Sequence, residues 1–177
     1  MIVIGFGTNE KWTSKLIRWA TRSEWSHVWI EYPSGVWGGR WVAHSWADGV
    51  VKVPLERVEA AYPKRVVYEC RADLTEGLKW ARQYITAGYD YGVIWNGLLL
   101  ALHRATGWDW LTRIVARNAA KYSCSEFVSG IFKASEVRGV ESSGVVGGDT
   151  ADRFDPELTT PGDLAKFCAD SDDFWVV

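Results

Sequence analysis

The 177-residue sequence has only three cysteines, three histidines, five prolines and one methionine. Cys70, Cys124 and Cys168 are odd in number and widely spaced. This pattern excludes a paired disulfide framework and the short ligand pairs of a zinc ribbon, and it favours a reducing compartment. A chain of this length buries roughly two thirds of its unfolded surface, so stability requires neither a disulfide nor a metal. No internal repeat or boundary is evident, and we expect a single domain over residues 1–177.

A basic cluster and a long apolar run are also missing. The net charge is −2 and lysine and arginine are not clustered, so the sequence does not predict a basic surface for nucleic acid, and we exclude that partner. The apolar stretch Val93–Leu102 is far shorter than the roughly 20 residues of a membrane span, and it predicts a core helix. Met1–Gly5 has no basic region before an apolar stretch, so no secretory signal is evident. We therefore expect a cytoplasmic protein, or a virion-associated one if a bacteriophage encodes it.

What the sequence does contain is a helix-start signal around one cysteine. Ser123 and Glu126 form the Ser-x-x-Glu pattern of a capping box, which places Cys124 in the first helical turn. Free backbone N–H groups and the helix dipole stabilise a thiolate there, so we expect the thiol pKa to fall below its free value of about 8.5. An inert core cysteine is the alternative, because Cys124 shares an apolar helical face with Phe127 and Ile131.

Two histidines lie on segments that predict a β-hairpin. Residues 25–32 and 40–46 are rich in β-branched and aromatic side chains, and turn residues separate them. With the centre of the hairpin between Gly35 and Val36, His27 lies directly opposite His44, and their Cβ atoms are roughly 4.5 to 5.5 Å apart. One imidazole would then orient the other. A slip by one residue would place them on opposite faces, and taken singly either histidine is also explained as an ordinary strand residue.

The order of the predicted elements indicates an α+β fold with a small antiparallel sheet packed against helices. The other expected strands are 2–6, 49–53 and 65–70. The expected helices are 12–21, with an apolar stripe of Trp12, Leu16, Ile17 and Ala20, then 74–86, 91–105, 108–118, the Cys124 helix, and a short final helix beginning at Thr160–Leu164. Residues 138–155 predict a long surface loop, either a lid over the site or a disordered connector.

Three motifs resemble the circularly permuted branch of the NlpC-type, papain-like cysteine hydrolases, which includes YiiX-like proteins and the related LRAT-like acyltransferases. They are SKLIRWATRSEWSHVWIEY, VAHSWADGV and YSCSEFVSGIF, and the likeness extends from about residue 5 to about residue 168. The resemblance implies a permuted papain-like fold with Cys124 as nucleophile, His27 as general base and His44 as the residue that orients His27. Many YiiX-like members have glutamate at the third position, whereas histidine there is typical of unpermuted NlpC-type and LRAT-like proteins.

Residues of these types support thiol chemistry. A thiolate attacks a carbonyl, His27 takes and returns the proton, and His44 holds the tautomer. The backbone N–H of Cys124 or Ser125 would meet the developing oxyanion, with Tyr122 as a further candidate donor. We expect a thiol hydrolase of the amidase or peptidase type that forms a thioester on Cys124 and uses no cofactor or metal. The resemblance favours a cell-wall (peptidoglycan) peptide as substrate.

Three alternatives stay open. An LRAT-like lipid acyl hydrolase or transferase uses the same three residues, and a broad apolar groove or a membrane-facing patch would distinguish it. A zinc site formed by His27, His44 and Cys124 suits the ligand chemistry of zinc, although the short ligand pairs of zinc motifs are missing. A non-catalytic binding or structural module is the third alternative. The twelve tryptophans either stack on a substrate or fill the core, and they do not decide between these functions.

Overall fold

The computed structural model describes residues 1–33, 39–46, 48–89, 102, 106–108, 121–137 and 159–177. The strands in these ranges are β1 (Ile2–Thr8), β2 (His27–Pro33), β3 (Arg40–Trp46), β4 (Gly49–Pro54), β5 (Lys64–Cys70), β6 (Gly88–Tyr89), β7 (Lys121–Tyr122) and β8 (Phe174–Val176). The helices are α1 (Trp12–Thr21), α2 (Leu55–Ala61), α3 (Thr75–Arg82), α4 (Cys124–Ala134) and α5 (Pro161–Asp170). The predicted α+β class is confirmed.

Six strands form one antiparallel sheet in the order β4-β3-β2-β1-β5-β8. Helices α3, α4 and α5 cover one face, where the main apolar core contains Ile4, Phe6 and Val28. Helix α2 covers part of the other face, where a smaller cluster contains Trp29 and Tyr62. Side chains alternate along a strand, so His27 shares the α2 side of the sheet with Trp29, whereas Val28 points to the main core. Strands β6 and β7 form a separate parallel pair.

The central strand β1 makes room for aromatic rings on the α2 side. A Cβ atom on Gly5 would lie 2.1 Å from Cε2 of Trp29, and one on Gly7 would lie 2.7 Å from Cβ of Tyr62. Any side chain at these two positions would therefore displace the rings. The glycines let Trp29 and Tyr62 lie directly on the backbone of β1, close to the start of β2.

Strands β2 and β3 are the two arms of the predicted hairpin, but their register differs from the prediction. Ile30 pairs with Ala43, whereas the predicted register would place it opposite Trp41. The strands are offset by two residues. Because side chains alternate with period two, this offset keeps His27 and His44 on the same face and makes them diagonal neighbours instead of an opposed pair. The predicted direct opposition was wrong.

Helix α1 has the predicted bounds, but its predicted apolar stripe is not uniformly covered. Ala20 is buried, whereas Trp12 is 72% exposed. Helix α3 ends at Arg82, four residues before the predicted end. Helix α2, strand β8 and the β6–β7 pair were not predicted.

Several predictions concern parts of the chain outside the described residues. These are the turn of the hairpin and the loop at 138–155. The predicted helices at 91–105 and 108–118 also lie outside the described residues, apart from residues 102 and 108. Among the described helices, none combines the length and apolar character needed to span a bilayer.

Candidate active site

Cys124 is the first residue of α4, and the predicted capping box is present around it. The Ser123 hydroxyl accepts a hydrogen bond from the Glu126 N–H at 3.2 Å. The Ser123 N–H in turn donates to Glu126 Oε2 at 2.7 Å. These two bonds satisfy backbone donors at the helix start, as expected for this motif. They fix the backbone on both sides of Cys124, whose side chain is buried with 6% of its surface exposed.

The two histidines are joined by a hydrogen bond. The distance from His27 Nε2 to His44 Nδ1 is 2.8 Å, and the ring planes lie at 74° to each other. Both side chains are buried. Since the bond uses Nε2 of His27, the second ring nitrogen of His27, Nδ1, is available to another partner. His44 therefore fixes the orientation of the His27 ring from one side only.

The Cys124 sulfur lies next to the start of β2. The backbone N–H groups of Val28, the residue after His27, and of Ser125 lie close enough to this sulfur to lower the pKa of the thiol. The phenol of Tyr62 interacts electrostatically with the same sulfur, and its ring stacks on His27 with centroids 4.7 Å apart and planes at 9°. These contacts place the Cys124 sulfur beside the backbone at the start of β2, and the bonded rings of His27 and His44 lie on the α2 side of the sheet with Tyr62. Within the described residues, no hydrogen bond joins the thiol directly to His27. Such bonds are often long in an unliganded site and tighten with substrate.

Burial dominates the electrostatics of the thiol. It raises the pKa of Cys124 to about 11, although the backbone N–H groups of Val28 and Ser125 act in the opposite direction. The predicted pKa below that of free cysteine was therefore wrong, because loss of solvation outweighs the donors at the helix start.

The two imidazoles are also held in their neutral forms. Burial, followed by the neighbouring His44, lowers the pKa of His27 well below its usual value. Burial, followed by Arg57, lowers the pKa of His44 to about 4. At neutral pH the site consequently contains a neutral thiol and two neutral rings. A thiolate must form by proton transfer within the site during the reaction.

Tyr62 is a site residue that the sequence analysis missed. It follows α2, where its N–H bonds to Val58 O at 2.9 Å, and its side chain is buried. Burial, together with the nearby Cys124, raises the pKa of its phenol, so the hydroxyl is protonated and able to donate. No sequence motif marks this position. The only signal is indirect, namely the glycines at 5 and 7 that leave space for an aromatic ring beside β1.

Tyr122 and Ser125, the two predicted supporting residues, lie in different surroundings. The Tyr122 ring packs against Trp80 and Tyr84, with centroids 5.7 and 4.8 Å away. Its hydroxyl bonds to Tyr84, and burial raises its pKa. Ser125 is buried, and its backbone N–H reaches the Cys124 sulfur. The geometry therefore favours Ser125 over Tyr122 as a donor close to the nucleophile.

The described residues do not form a metal site. They contain no cluster of three or more histidine, cysteine, aspartate or glutamate side chains able to hold an ion. Nε2 of His27 and Nδ1 of His44 point at each other across 2.8 Å. Two nitrogens bound to one tetrahedral zinc at 2.0 to 2.1 Å are about 3.3 Å apart and point at the metal. The two imidazoles are therefore arranged for a mutual hydrogen bond, and the geometry does not fit the zinc alternative.

Comparison with known proteins bears on the fold. No protein-family model and no curated protein matches this sequence. The crystal structure of the metalloprotein YiiX from Escherichia coli is similar, with a TM-score of 0.58 and 18% sequence identity. The alignment covers 99% of this chain and 94% of that chain. Similarity at this level of identity concerns the fold alone, and this chain has a YiiX-like α+β fold.

Proposed function

We propose that this protein is a thiol hydrolase that cleaves an amide or related acyl bond through a thioester on Cys124, in a permuted NlpC-type papain-like fold. The observation that carries the proposal is the placement of Cys124. A buried cysteine at the start of a capped helix lies against the strand that begins with His27, and the far nitrogen of His27 is bonded to His44. A nucleophile, a base and a residue that orients the base are the parts that covalent acyl transfer requires.

Because the Cys124 thiol and both imidazoles are neutral before the reaction, the first step must include a proton transfer from the thiol. His27 is unprotonated at neutral pH, so its Nδ1 takes the proton of the Cys124 thiol as the sulfur attacks the carbonyl carbon. The carbonyl oxygen becomes an oxyanion, and the N–H of Ser125, which lies beside the sulfur, is the candidate donor to it. His27 then gives the proton to the leaving amine or alkoxide, and the acyl group remains on sulfur. Water, deprotonated by His27, hydrolyses the thioester and restores the thiol.

His44 controls which nitrogen of His27 carries the proton. For Nδ1 of His27 to act as base, Nε2–H must donate to His44 Nδ1, and the proton of His44 then sits on its Nε2. That atom is buried and has no hydrogen-bond partner among the described residues. An unpaired buried donor costs about 1 to 3 kcal/mol. His44 thus orients the base but stabilises the reactive tautomer less well than a carboxylate would.

Two substrate classes fit this chemistry. The sequence resemblance favours a cell-wall peptide. A lipid acyl bond is the second candidate, and a specific observation supports it, since Trp12 and Trp19 are exposed on α1. YiiX is described as a metalloprotein. We propose no metal-dependent step for this chain, because its two imidazoles are bonded to each other.

The proposal is tested by offering the purified protein peptidoglycan fragments, isopeptides and phospholipid micelles and identifying products by mass spectrometry. We expect the wild type and Cys70→Ala to release a product from one class and Cys124→Ala to release none. Cys70 is a matched control, because it is similarly buried and burial likewise raises the pKa of its thiol to about 11. Turnover that survives Cys124→Ala would contradict the proposal.

A further inference from the structure

Helix α1 exposes two tryptophans on one side. Trp12 is 72% exposed and Trp19 is 66% exposed. Seven residues make about two helical turns, so the two indoles lie on the same side of the helix, and the half-buried Leu16 lies between them. Large aromatic side chains grouped on a surface commonly mark an interaction site.

The opposite side of α1 is attached to the sheet. The Ser14 hydroxyl lies 3.0 Å from that of Thr8 and 2.6 Å from that of Ser26, and Ala20 is buried. These contacts hold α1 in a fixed rotation about its axis. The tryptophan side is consequently directed away from the sheet, and the described residues leave both indoles exposed.

Basic residues border the two indoles. The cations on and next to α1 are Lys11, Lys15, Arg18 and Arg22. One carboxylate, Glu10, pairs with two of them, at 3.0 Å from Lys15 and 4.0 Å from Arg18. The helix itself contains no acidic residue in its first turn. The surface therefore combines exposed tryptophan with excess positive charge, although the protein as a whole carries a net charge of −2.

We propose that α1 docks on the surface of an anionic lipid bilayer. The helix would lie in the plane of the interface, with Trp12 and Trp19 at the level of the headgroups and the cations against lipid phosphates. Helices that bind in this way pair an apolar, tryptophan-containing face with a basic face, and tryptophan prefers the bilayer interface. Each cation near an anionic surface adds to the affinity. A second copy of this chain fits less well, because two basic faces repel each other.

The position of α1 relates the proposed docking to the candidate active site. The helix leaves the sheet at the end of β1 and returns at Ser26, the residue before His27. Because Ser14 of α1 is bonded to Ser26, docking would hold the start of β2, where His27 lies, close to the bilayer. The docking itself does not depend on the thiol chemistry, and the two proposals can fail separately.

The test is cosedimentation with vesicles of phosphatidylcholine alone and of phosphatidylcholine mixed with phosphatidylglycerol. The Cys124→Ser variant is used so that turnover of lipid cannot alter the vesicles. We expect binding to the anionic vesicles that is weaker at high salt, because exposed charges are screened. The double variant Trp12→Ala/Trp19→Ala should lower the partition coefficient about tenfold or more. Lys11→Gln alone should lower it about fivefold.

The matched control is Trp175→Ala, since Trp175 is 52% exposed, lies in β8, and stacks on Arg71 at 4.2 Å. We expect this variant to bind like its parent. Circular dichroism and thermal melting verify that every variant is folded. The proposal is overturned by equal binding to neutral and anionic vesicles, by the same loss in Trp175→Ala, or by no binding at all. A dimer in sedimentation velocity that disappears in the Trp12→Ala/Trp19→Ala variant would overturn it in favour of self-association.

Discussion

Replacing His27 by alanine should change how the reactivity of Cys124 depends on pH. The thiol pKa is raised to about 11 by burial, so its spontaneous ionisation at pH 7 gives only about one thiolate in 10⁴ molecules. In the wild type the neutral imidazole removes the proton during attack. Because burial holds the pKa of His27 well below its usual value, this base is fully available from pH 6 to 9.

The two proteins should therefore have different pH profiles. A positioned general base contributes about 10²- to 10⁴-fold, so we expect the wild-type alkylation rate at pH 7 to exceed that of His27→Ala by at least about 100-fold. In the wild type the rate should be nearly constant from pH 6 to 9. In His27→Ala it should rise about tenfold per pH unit over the same range, since it follows the thiolate fraction alone. The two profiles should converge between about pH 9 for a 100-fold difference at pH 7 and about pH 11 for a 10⁴-fold difference.

The assay is alkylation by iodoacetamide, followed at each cysteine by peptide mass spectrometry. Cys70 serves as an internal standard, because burial raises its pKa to about 11 and it is as little exposed as Cys124. Its rate should rise tenfold per pH unit in both proteins. His27→Gln, which keeps more of the side-chain volume, should behave like His27→Ala. Parallel profiles for Cys124 and Cys70 in the wild type would refute the assignment of His27 as the base.

Three further changes test how the site is held together. His44→Glu places a carboxylate against Nε2 of His27, which should raise the pKa of His27. The pH below which the alkylation rate of Cys124 falls should therefore be higher than in the wild type, and an unchanged pH would contradict the role of His44. Tyr62→Phe keeps the ring stacked on His27 and should lower the alkylation rate of Cys124 less than Tyr62→Ala does. Tyr62→Ala should also lower the free energy of unfolding by about 3 kcal/mol, measured by thermal melting. Equal alkylation rates in the two variants would argue that the ring does not position His27. Gly5→Ala should destabilise the protein by about 1 to 3 kcal/mol in denaturant titration, because the added Cβ overlaps Trp29, and a neutral effect would show that the ring can move.

The features predicted correctly from the sequence are those fixed by residues close together in the chain. The capping box depends on Ser123 and Glu126, three residues apart, and it is present as predicted. Strand β3 has the predicted bounds, Arg40–Trp46, because this run of aromatic and β-branched residues lies between turn residues. The shared face of the two histidines was also predictable, since it depends only on whether the register is offset by an odd or an even number of residues.

The features that sequence reasoning missed depend on what covers a residue in the folded protein. The capping box and the helix dipole predicted a lowered pKa for the Cys124 thiol. Burial raises this pKa instead, and the residues that bury the thiol are distant in the sequence. Helix α1 has apolar residues on two sides, with Trp12 and Trp19 on one and Ile17 and Ala20 on the other. Helical periodicity identifies both sides and does not say which one the sheet covers. The contact between Tyr62 and His27 likewise joins positions far apart in the chain.

The central claim is that Cys124 carries the acyl group during turnover, and trapping that intermediate tests it most directly. The protein is mixed with an activated acyl ester, quenched in acid after a short time, and analysed by intact and peptide mass spectrometry. We expect one acyl group on the peptide that contains Cys124, removable by hydroxylamine, and no such adduct on Cys70 or in His27→Ala. Acylation of Cys70 to the same extent, or an adduct on Cys124 that forms equally fast without His27, would contradict the account.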